Sequence, residues 1–457
     1  MNKKKWVAQL QAQLSHLELS VDGAVLAEHS SDKWYAESMP EIVIFAKTTE
    51  EVSQVLAFAN EYRVPVTTRG AGIGYVGGCV PVEGGIVLSV FKMNSIVEIN
   101  PQDGVAVVEP GVITGDLQEA VADLGWYYPP DPASLKECSI GGNLATNAGG
   151  PRCLKYGVTK HYVLGLTVVL ATGEILQLGG RCHKNKTGFD LTSVFVGSEG
   201  MLGVITQATL RIIPHPQTRQ MLLASFEQFN QAAVAVQAIF QAGHLPSALE
   251  ISDPFTIKAA RSYLGADALP PGEAQLMLEI DGFESAVSSQ IDLLKSLLHE
   301  LGALSIEEAQ DTHACEAFWQ RRRDFSYALR ATGLIKLNED VVVPRSKLVQ
   351  LVEFAQSLST EYPVQVASFG HAGDGNIHVN LMIEDTPEVR EQANLALDKL
   401  FSWVIEQEGA ITGEHGVGLA KSRWLKQAVG QEVLDTHHLV KKALDSNGIL
   451  NPSKFLS

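Results

Sequence analysis

Two glycine-dense segments limit what the chain can build more than any other feature of the sequence. They are Arg69-Gly-Ala-Gly-Ile-Gly-Tyr-Val-Gly-Gly78 and Cys138-Ser-Ile-Gly-Gly-Asn-Leu-Ala-Thr-Asn-Ala-Gly-Gly150. Glycine permits positive φ and lets a ligand come close to bare backbone N–H groups, which an ordinary turn-rich surface loop does not need. The first segment holds a literal GxGxxG in Gly72, Gly74 and Gly77, which invites a Rossmann reading. That motif should open a helix. Here it runs into Cys79-Val-Pro-Val-Glu-Gly-Gly85 and the strand-like Ile86–Val90, so the Rossmann reading fails in its own context. The second segment alternates glycine pairs with small residues and two asparagines and carries no charge, so it can lie against a planar or diphosphate group.

Length and charge narrow the class. At roughly 150 residues per domain, 457 residues make two or three domains, or one large domain with an insertion. The net charge of −17 repels phosphate, which makes nucleic acid or an anionic membrane surface an unexpected partner. Five cysteines between Cys79 and Cys315 make no disulfide framework and fit a reducing compartment. They include no CxxC pair, so a thiolate-held zinc or iron–sulfur cluster is not expected. Met1-Asn-Lys-Lys-Lys5 looks like the start of a signal peptide, but the following stretch is broken by glutamines and reads as an amphipathic helix. The longest uncharged apolar run, about Val163 to Ala171, is far short of the ~20 residues of a membrane span. A cytoplasmic protein is expected, held at a membrane only through a partner.

Periodicity gives a coarse order of elements. Glu41–Ala46 is strand-like, and Thr48-Thr-Glu-Glu51 is a capping box before a helix with Val52, Val55, Leu56 and Ala59 on one stripe. Val64–Arg69 is a second short strand. Ile86–Val90, Ile96–Ile99, Val105–Val108, Val163–Leu170, Ile175–Leu178 and Leu202–Ile212 read as strands, with a helix from Asp116 to Leu124 among them. An α+β domain closes near Pro214-His-Pro216. Beyond it, helical patterns (Phe226–Gln241, Glu284–Leu301, Ala314–Ala331, Lys347–Leu358, Pro387–Gln407) alternate with strands at Leu276–Ile280 and Val364–Phe369, which reads as a second α+β domain. A helix over Glu432–Asp445 and a Pro-stopped segment, Gly448-Ile-Leu-Asn-Pro452, follow.

Two further segments stand beside the glycine loops: the rigid turn Tyr128-Pro-Pro-Asp-Pro-Ala-Ser134 and Val196-Gly-Ser-Glu-Gly-Met-Leu-Gly-Val-Ile-Thr206. Together the four, in this order, resemble the FAD-binding domain of the vanillyl-alcohol-oxidase and p-cresol-methylhydroxylase type of flavoprotein. The resemblance implies that Arg69, Gly70, Ala71, Gly72, Ile73, Gly74, Gly77 and Gly78 wrap the cofactor. It implies the same of Pro130, Asp131 and Ser134, and of Ile140, Gly141, Gly142, Asn143, Asn147, Ala148, Gly149 and Gly150. It also puts Gly203, Val204 and Ile205 beside the flavin, with Asn451 from the tail. Some relatives hold FAD covalently through a histidine near the first loop; Arg69–Gly78 contains none, so non-covalent FAD is expected.

The C-terminal half carries a different constellation. Ser368-Phe-Gly-His-Ala-Gly-Asp-Gly-Asn-Ile-His-Val-Asn380 reads as strand, tight turn and strand, with His371 and His378 flanking the turn and converging at its mouth. His378 and Asn380 point to one face, because the side-chain period of a strand is two. Glu414 and His415 lie in Gly413-Glu-His-Gly-Val-Gly418. A lone histidine is more often a hydrogen-bonded core residue. Two histidines and one carboxylate are a common three-ligand set for a divalent ion, although spacing alone does not assign a metal.

GHAGDGNIHVN and GEHGVG, with Asn338–Arg345 and Gly448–Pro452, resemble the branch that contains D-lactate dehydrogenase, the FAD subunit of glycolate oxidase and D-2-hydroxyglutarate dehydrogenase. The resemblance covers the chain from about Pro40 onward. It implies an α+β fold with a two-subdomain FAD domain over residues 1–215, divided near 100, and a substrate or cap domain over 216–420. A segment over 421–457 would return to the FAD domain. It further implies that His371, His378 and Glu414 hold a divalent metal, zinc before manganese or iron. His415 would be the base, and Asn380 a substrate contact.

In Trp319-Gln-Arg-Arg-Arg-Asp324 three consecutive arginines cannot share one helix face, so a solvated face is the reading for Arg321 or Arg323. The family pattern selects Arg322 as the clamp for a substrate carboxylate, with Ser326 one turn on. Asn338 stands where the relative acting on 2-hydroxyglutarate has a lysine, and Lys336 lies nearby out of register. The expected activity is FAD-dependent oxidation of a small anionic D-2-hydroxy acid such as D-lactate or glycolate. Electrons would leave to an external acceptor: a partner subunit, a quinone or an electron-transfer protein. A homodimer stays open. The alternatives are a D-2-hydroxyglutarate-type dehydrogenase, a metal-dependent hydrolase with merely structural glycine loops, and a non-catalytic flavin subunit.

Overall fold

The computed structural model describes residues 3–456, and the chain divides into two compact units. The first comprises the residues up to Gly149, Val158–His215 and those from Glu414 onward; the second comprises Gly150–Gly157 and Pro216–Gly413. The first unit thus resumes at Glu414 rather than at 421, and residues 150–157 belong to the second. Ion pairs explain the second difference: Arg152 and Lys155 pair with Glu279 and Asp281 of the second unit's sheet.

In the first unit a four-stranded sheet runs in the order Leu19–Ser20, Ile42–Phe45, Ile86–Ser89, Val66–Arg69, and its last three strands are parallel. The helix Thr49–Tyr62 makes the crossover. Thr48 caps it by accepting the Glu51 N–H at 3.2 Å, and Val52, Val55, Leu56, Phe58 and Ala59 are its buried stripe. That stripe packs on Ile42, Ile44, Val66, Ile86 and Leu88.

The central strand Ile86–Ser89 enters from Gly85, whose φ is +77° and whose missing Cβ would lie 2.2 Å from the Pro65 carbonyl oxygen. Gly85→Ala is therefore expected to destabilise the protein by about 1–3 kcal/mol, read as a lower midpoint in chemical denaturation followed by tryptophan fluorescence.

A second sheet of this unit, antiparallel, runs Ile96–Asn100, Val105–Val108, Val204–Arg211, Val163–Val169, Ile175–Gly179. The interposed helix spans Thr114–Ala122. Contrary to its reading as a loop, the second glycine segment contains a helix, Ile140–Thr146, capped by Ser139. Adjacent glycines masked it, since glycine is a poor helix former. The tail helix Gln431–Leu444 leads to Ile449 and Leu450, which pair with Val66 at the edge of the parallel sheet.

The second unit is one seven-stranded antiparallel sheet, ordered Ser305–Ala309, Thr218–Phe226, Ala274–Gly282, Ala248–Ser252, Gln365–His371, Asn376–Ile383, Ile335–Val342. Its register separates two kinds of face. Leu222, Leu278, Leu249, Ile251 and Leu381 fall on one, fully buried and apolar. Glu279, Glu250, His371, His378, Asn380 and Asp340 fall on the other, because cross-strand partners share a face. The helices Pro254–Leu264 and Thr312–Arg330 cover this second face with Ile257, Phe325 and Leu329 against Ala367 and Phe369. Among the described residues no helix is long and apolar enough to cross a membrane.

Candidate functional site

The first unit brings the three glycine-rich motifs together. Ser139 Oγ accepts the N–H groups of Ala71 at 3.3 Å and Gly142 at 3.4 Å, joining the first loop to the start of the second. A Cβ on Gly70 would sit 2.5 Å from that hydroxyl. From the third motif, the N–H groups of Gly197 and Glu199 donate to Leu144 and Ala145 at 2.8 Å each. Gly203 packs on Val168, and Val204 and Ile205 begin the adjoining strand. In the rigid turn, Gln118 holds the Pro130 carbonyl at 2.9 Å, Ser134 O accepts Cys138 N–H at 2.9 Å, and Asp131 is buried.

Not every glycine is spare room for a ligand. A side chain at Gly72, Gly77 or Gly141 would strike Arg69, Leu419 or Pro110 at 2.2 to 2.9 Å, whereas Gly74, Gly78 and Gly142 have no neighbour closer than 3.4 Å. The latter three thus have room beside them, Gly74 and Gly78 on the loop that also carries Ile73, Gly142 in the segment that ends Ala148-Gly149-Gly150.

Several residues expected at the cofactor face inward. The Arg69 guanidinium donates to Ser31 O at 2.7 Å and Cys79 Sγ at 3.3 Å. Asn143 donates to Thr114 Oγ1 at 2.6 Å, and Asn147, with φ 52°, accepts Lys160 N–H at 2.9 Å. Asn451 bridges two motifs, accepting from Thr68 N–H at 3.1 Å and donating to Glu199 O at 2.6 Å. These four set the shape of the loops.

His415 stands in the same unit. Its ring lies 5.6 Å from that of Tyr75, in the middle of the first glycine loop. The loop behind it is fixed by Glu199, whose buried carboxylate accepts Val417 N–H at 2.7 Å and Gly418 N–H at 2.8 Å. Burial raises the Glu199 carboxyl, and the two N–H donors pull it back. Lys454, fully buried, donates to Gly77 O at 3.0 Å and to Val80 O; burial lowers its ammonium to about 8. Neither Glu199 nor Lys454 was foreseen from sequence.

The second unit positions the rest on its polar face. His371 pairs with Asn376 and His378 with Phe369, so His378 lies inside the hairpin rather than at its mouth. The turn takes only Ala372–Gly375, since Asn376 already pairs. Both histidines are buried, their rings are 5.6 Å apart, and their ligand atoms lie within 4.8 Å of one another.

Glu250, 2% exposed, stands between functions: Oε1 is 2.5 Å from His371 Nδ1 and Oε2 accepts Arg322 Nε–H at 2.7 Å. Burial by itself would raise this carboxyl; the imidazole and the guanidinium hold it instead at about 2. Arg322 also lies over the Phe369 ring at 4.5 Å. Its neighbours Arg321 and Arg323 pair with Glu307 and Glu316 at the surface, as the solvated reading has it. With Nε taken, the two terminal amino groups of Arg322 are what remains for another anion.

Asn380 donates to Ala367 O at 3.0 Å, and its Oδ1 is buried without a hydrogen-bond partner among the described residues. Asn338, opposite it, has its Oδ1 in the same condition. Lys336, on the same face, donates to Ser326 Oγ at 2.9 Å, and burial followed by Arg330 and Arg322 brings it down to about 8. Asp340 pairs with His378 in register and accepts Gly413 N–H at 2.8 Å, one peptide bond before Glu414. Two imidazoles with outer carboxylates form a donor set suited to zinc, manganese or iron.

The sequence of residues 215–455 matches the family model described as FAD linked oxidases, C-terminal domain, and residues 40–179 match the FAD binding domain. The chain is 39% identical to glycolate oxidase subunit GlcD of Bacillus subtilis over 92% of its own length and 90% of that protein's. It is 35% identical to D-lactate dehydrogenase of Anaerostipes hadrus, over 93% of this chain and 91% of that protein. Among solved structures, p-cresol methylhydroxylase superposes with a TM-score of 0.80 at 19% identity, covering 99% of this chain and 96% of that one. That likeness establishes the fold. The chain belongs to the FAD-linked oxidase family.

Proposed function

We propose that the chain oxidises a small D-2-hydroxy acid, D-lactate or glycolate, to the 2-oxo acid at non-covalently bound FAD. The observation that carries this reading is the polar sheet face of the second unit. There an arginine with two unengaged terminal amino groups shares a surface with two buried histidines and the open Oδ1 of Asn380. A carboxylate suits the Arg322 fork, and a neighbouring hydroxyl suits a cation on His371 and His378 with Glu414 as third ligand. The glycolate oxidase and D-lactate dehydrogenase relatives support the substrate class.

When bound, FAD supplies the hydride acceptor and the divalent cation supplies Lewis acidity toward the hydroxyl. Arg322 holds the carboxylate and so fixes which face of the α-carbon is presented. Asn380 accepts a hydrogen bond through Oδ1. His415 takes the hydroxyl proton. The electrons leave to an external acceptor.

A second reading is a dicarboxylic substrate such as D-2-hydroxyglutarate. It rests on Lys336, a buried cation close enough to Arg322 for each charge to feel the other.

Anaerobic mixing of the flavin-loaded protein with D- and L-lactate, glycolate, malate and 2-hydroxyglutarate, with and without a chelator, tests both readings. Bleaching by D-lactate or glycolate, slowed by chelation, is the expected result, and preference for 2-hydroxyglutarate selects the second reading. If no hydroxy acid bleaches the flavin, the substrate class is wrong. A colourless preparation favours a hydrolase.

A further inference from the structure

The Glu250 carboxylate hydrogen-bonds a proposed metal ligand and the proposed substrate clamp at once. Oε1 meets His371 Nδ1 and Oε2 meets Arg322 Nε. Both contacts are sheltered: Glu250 is 2% exposed and the side chains of Arg322 and His371 are 12% and 9% exposed. Glu250 enters from Ala248–Ser252, the strand next to the one ending in His371, and their backbones pair in register. Arg322 descends from the covering helix and is pressed on Phe369.

A carboxylate on Nδ1 fixes the proton there and leaves the Nε2 lone pair pointing away as a ligand. A carboxylate on Nε fixes the plane of the guanidinium and with it the direction of the two terminal amino groups. We propose that Glu250 is a positioning residue that sets the His371 tautomer and the Arg322 fork together, so that the cation and the substrate carboxylate are received in one mutual register. This rests on the metal and substrate reading given above. It adds a residue that contacts neither cation nor substrate.

The consequence is a specific pattern of losses. In Glu250→Gln the amide can accept from only one of the two donors through its oxygen, and its NH2 confronts the other. Loss of an outer partner of a metal-bound histidine typically costs 10–100-fold in metal affinity. Removing Arg322 alone takes one partner from Glu250 but leaves the Glu250–His371 bond in place, so the metal side should keep its orientation while the substrate side loses its clamp.

The test uses full-length, flavin-loaded protein, with manganese and zinc affinity measured by chelator competition without substrate. KM and kcat are then measured at saturating metal. Glu250→Gln should bind either ion about 10–100-fold more weakly and raise KM, whereas Arg322→Met should raise KM and keep the wild-type metal affinity. Because Glu250→Gln leaves a buried guanidinium unpaired, the double variant Glu250→Gln/Arg322→Met is compared with Arg322→Met. It carries no unpaired charge and should still lose metal affinity. Equal metal affinity in that pair overturns the proposal, as does an Arg322→Met that loses metal as severely as Glu250→Gln. Wild-type protein that binds neither ion overturns the metal reading itself and takes the proposal with it.

Discussion

His415→Ala is expected to yield a protein that keeps its flavin colour but no longer bleaches when a 2-hydroxy acid is added without oxygen. The rate of flavin reduction should fall by about 10²–10⁴-fold, the usual contribution of a positioned general base. The flavin should stay because the loop carrying His415 is held from behind by two backbone N–H groups bonded to the Glu199 carboxylate. The glycine motifs are likewise joined through Ser139 and Asn451, neither of which touches His415 in any described hydrogen bond. Rapid-mixing absorbance with an α-deuterated substrate reads the step directly. Bleaching at the wild-type rate would remove His415 from the chemistry, and loss of the flavin would instead make it a binding residue.

The second large effect concerns stability. Glu279 is 1% exposed and accepts from Arg152 Nε and Nη2 at 2.7 Å each, from Trp319 Nε1 at 2.9 Å and from Ser247 Oγ at 2.9 Å. Burial tends to raise its carboxyl, yet Arg152 above all, with the Trp319 indole and the Arg219 guanidinium, keeps it at about 2. Arg152→Ala strands this charge, and breaking a buried pair from one side costs about 3–5 kcal/mol. The unfolding transition of the second unit should move accordingly in a urea titration, and Arg152→Ala/Glu279→Gln should recover much of the loss.

The pH dependence has a definite sign. A folded value near 2 against an ordinary 4.5 means that wild-type Glu279 stabilises fully above 4.5 and loses that contribution as the pH falls toward 2. The gap between wild type and Arg152→Ala should therefore narrow in mild acid. A gap independent of pH would mean that Arg152 acts through packing alone.

Some of this was legible in the sequence and some could not be. The helix Thr49–Tyr62 carried its own cap and stripe, and the GxGxxG betrayed itself by running into Ile86–Ser89 instead of a helix. Ile335–Val342 escaped because one of its faces presents Lys336, Asn338 and Asp340, which no amphipathic rule assigns to a buried strand. Helix was read from Phe226, which ends the strand Thr218–Phe226, because the apolar run continues into the helix Phe229–Gln241. Among site residues, His371, His378, Arg322 and His415 stood in recognisable motifs. Glu250 and Glu279 did not, since each acquires meaning only when strands pair. A signal existed nonetheless: each carboxylate follows directly on an apolar run and precedes an isoleucine, in Ala-Leu-Glu-Ile-Ser and Leu-Met-Leu-Glu-Ile.

The path of the chain also bears on how the protein is made. The polypeptide leaves the first unit at Gly149, lends eight residues to the second, comes back at Val158, departs again after His215 and returns at Glu414. On a ribosome the edge strand Val66–Arg69 and the first glycine loop emerge early, but Ile449, Leu450, Asn451 and Lys454, which bond to them, emerge only after the whole second unit. Newly synthesised chains must therefore keep an unfinished flavin cradle exposed throughout translation of the intervening domain. Neither unit is one contiguous stretch of the sequence, and the first is complete only when the residues near 450 have been added.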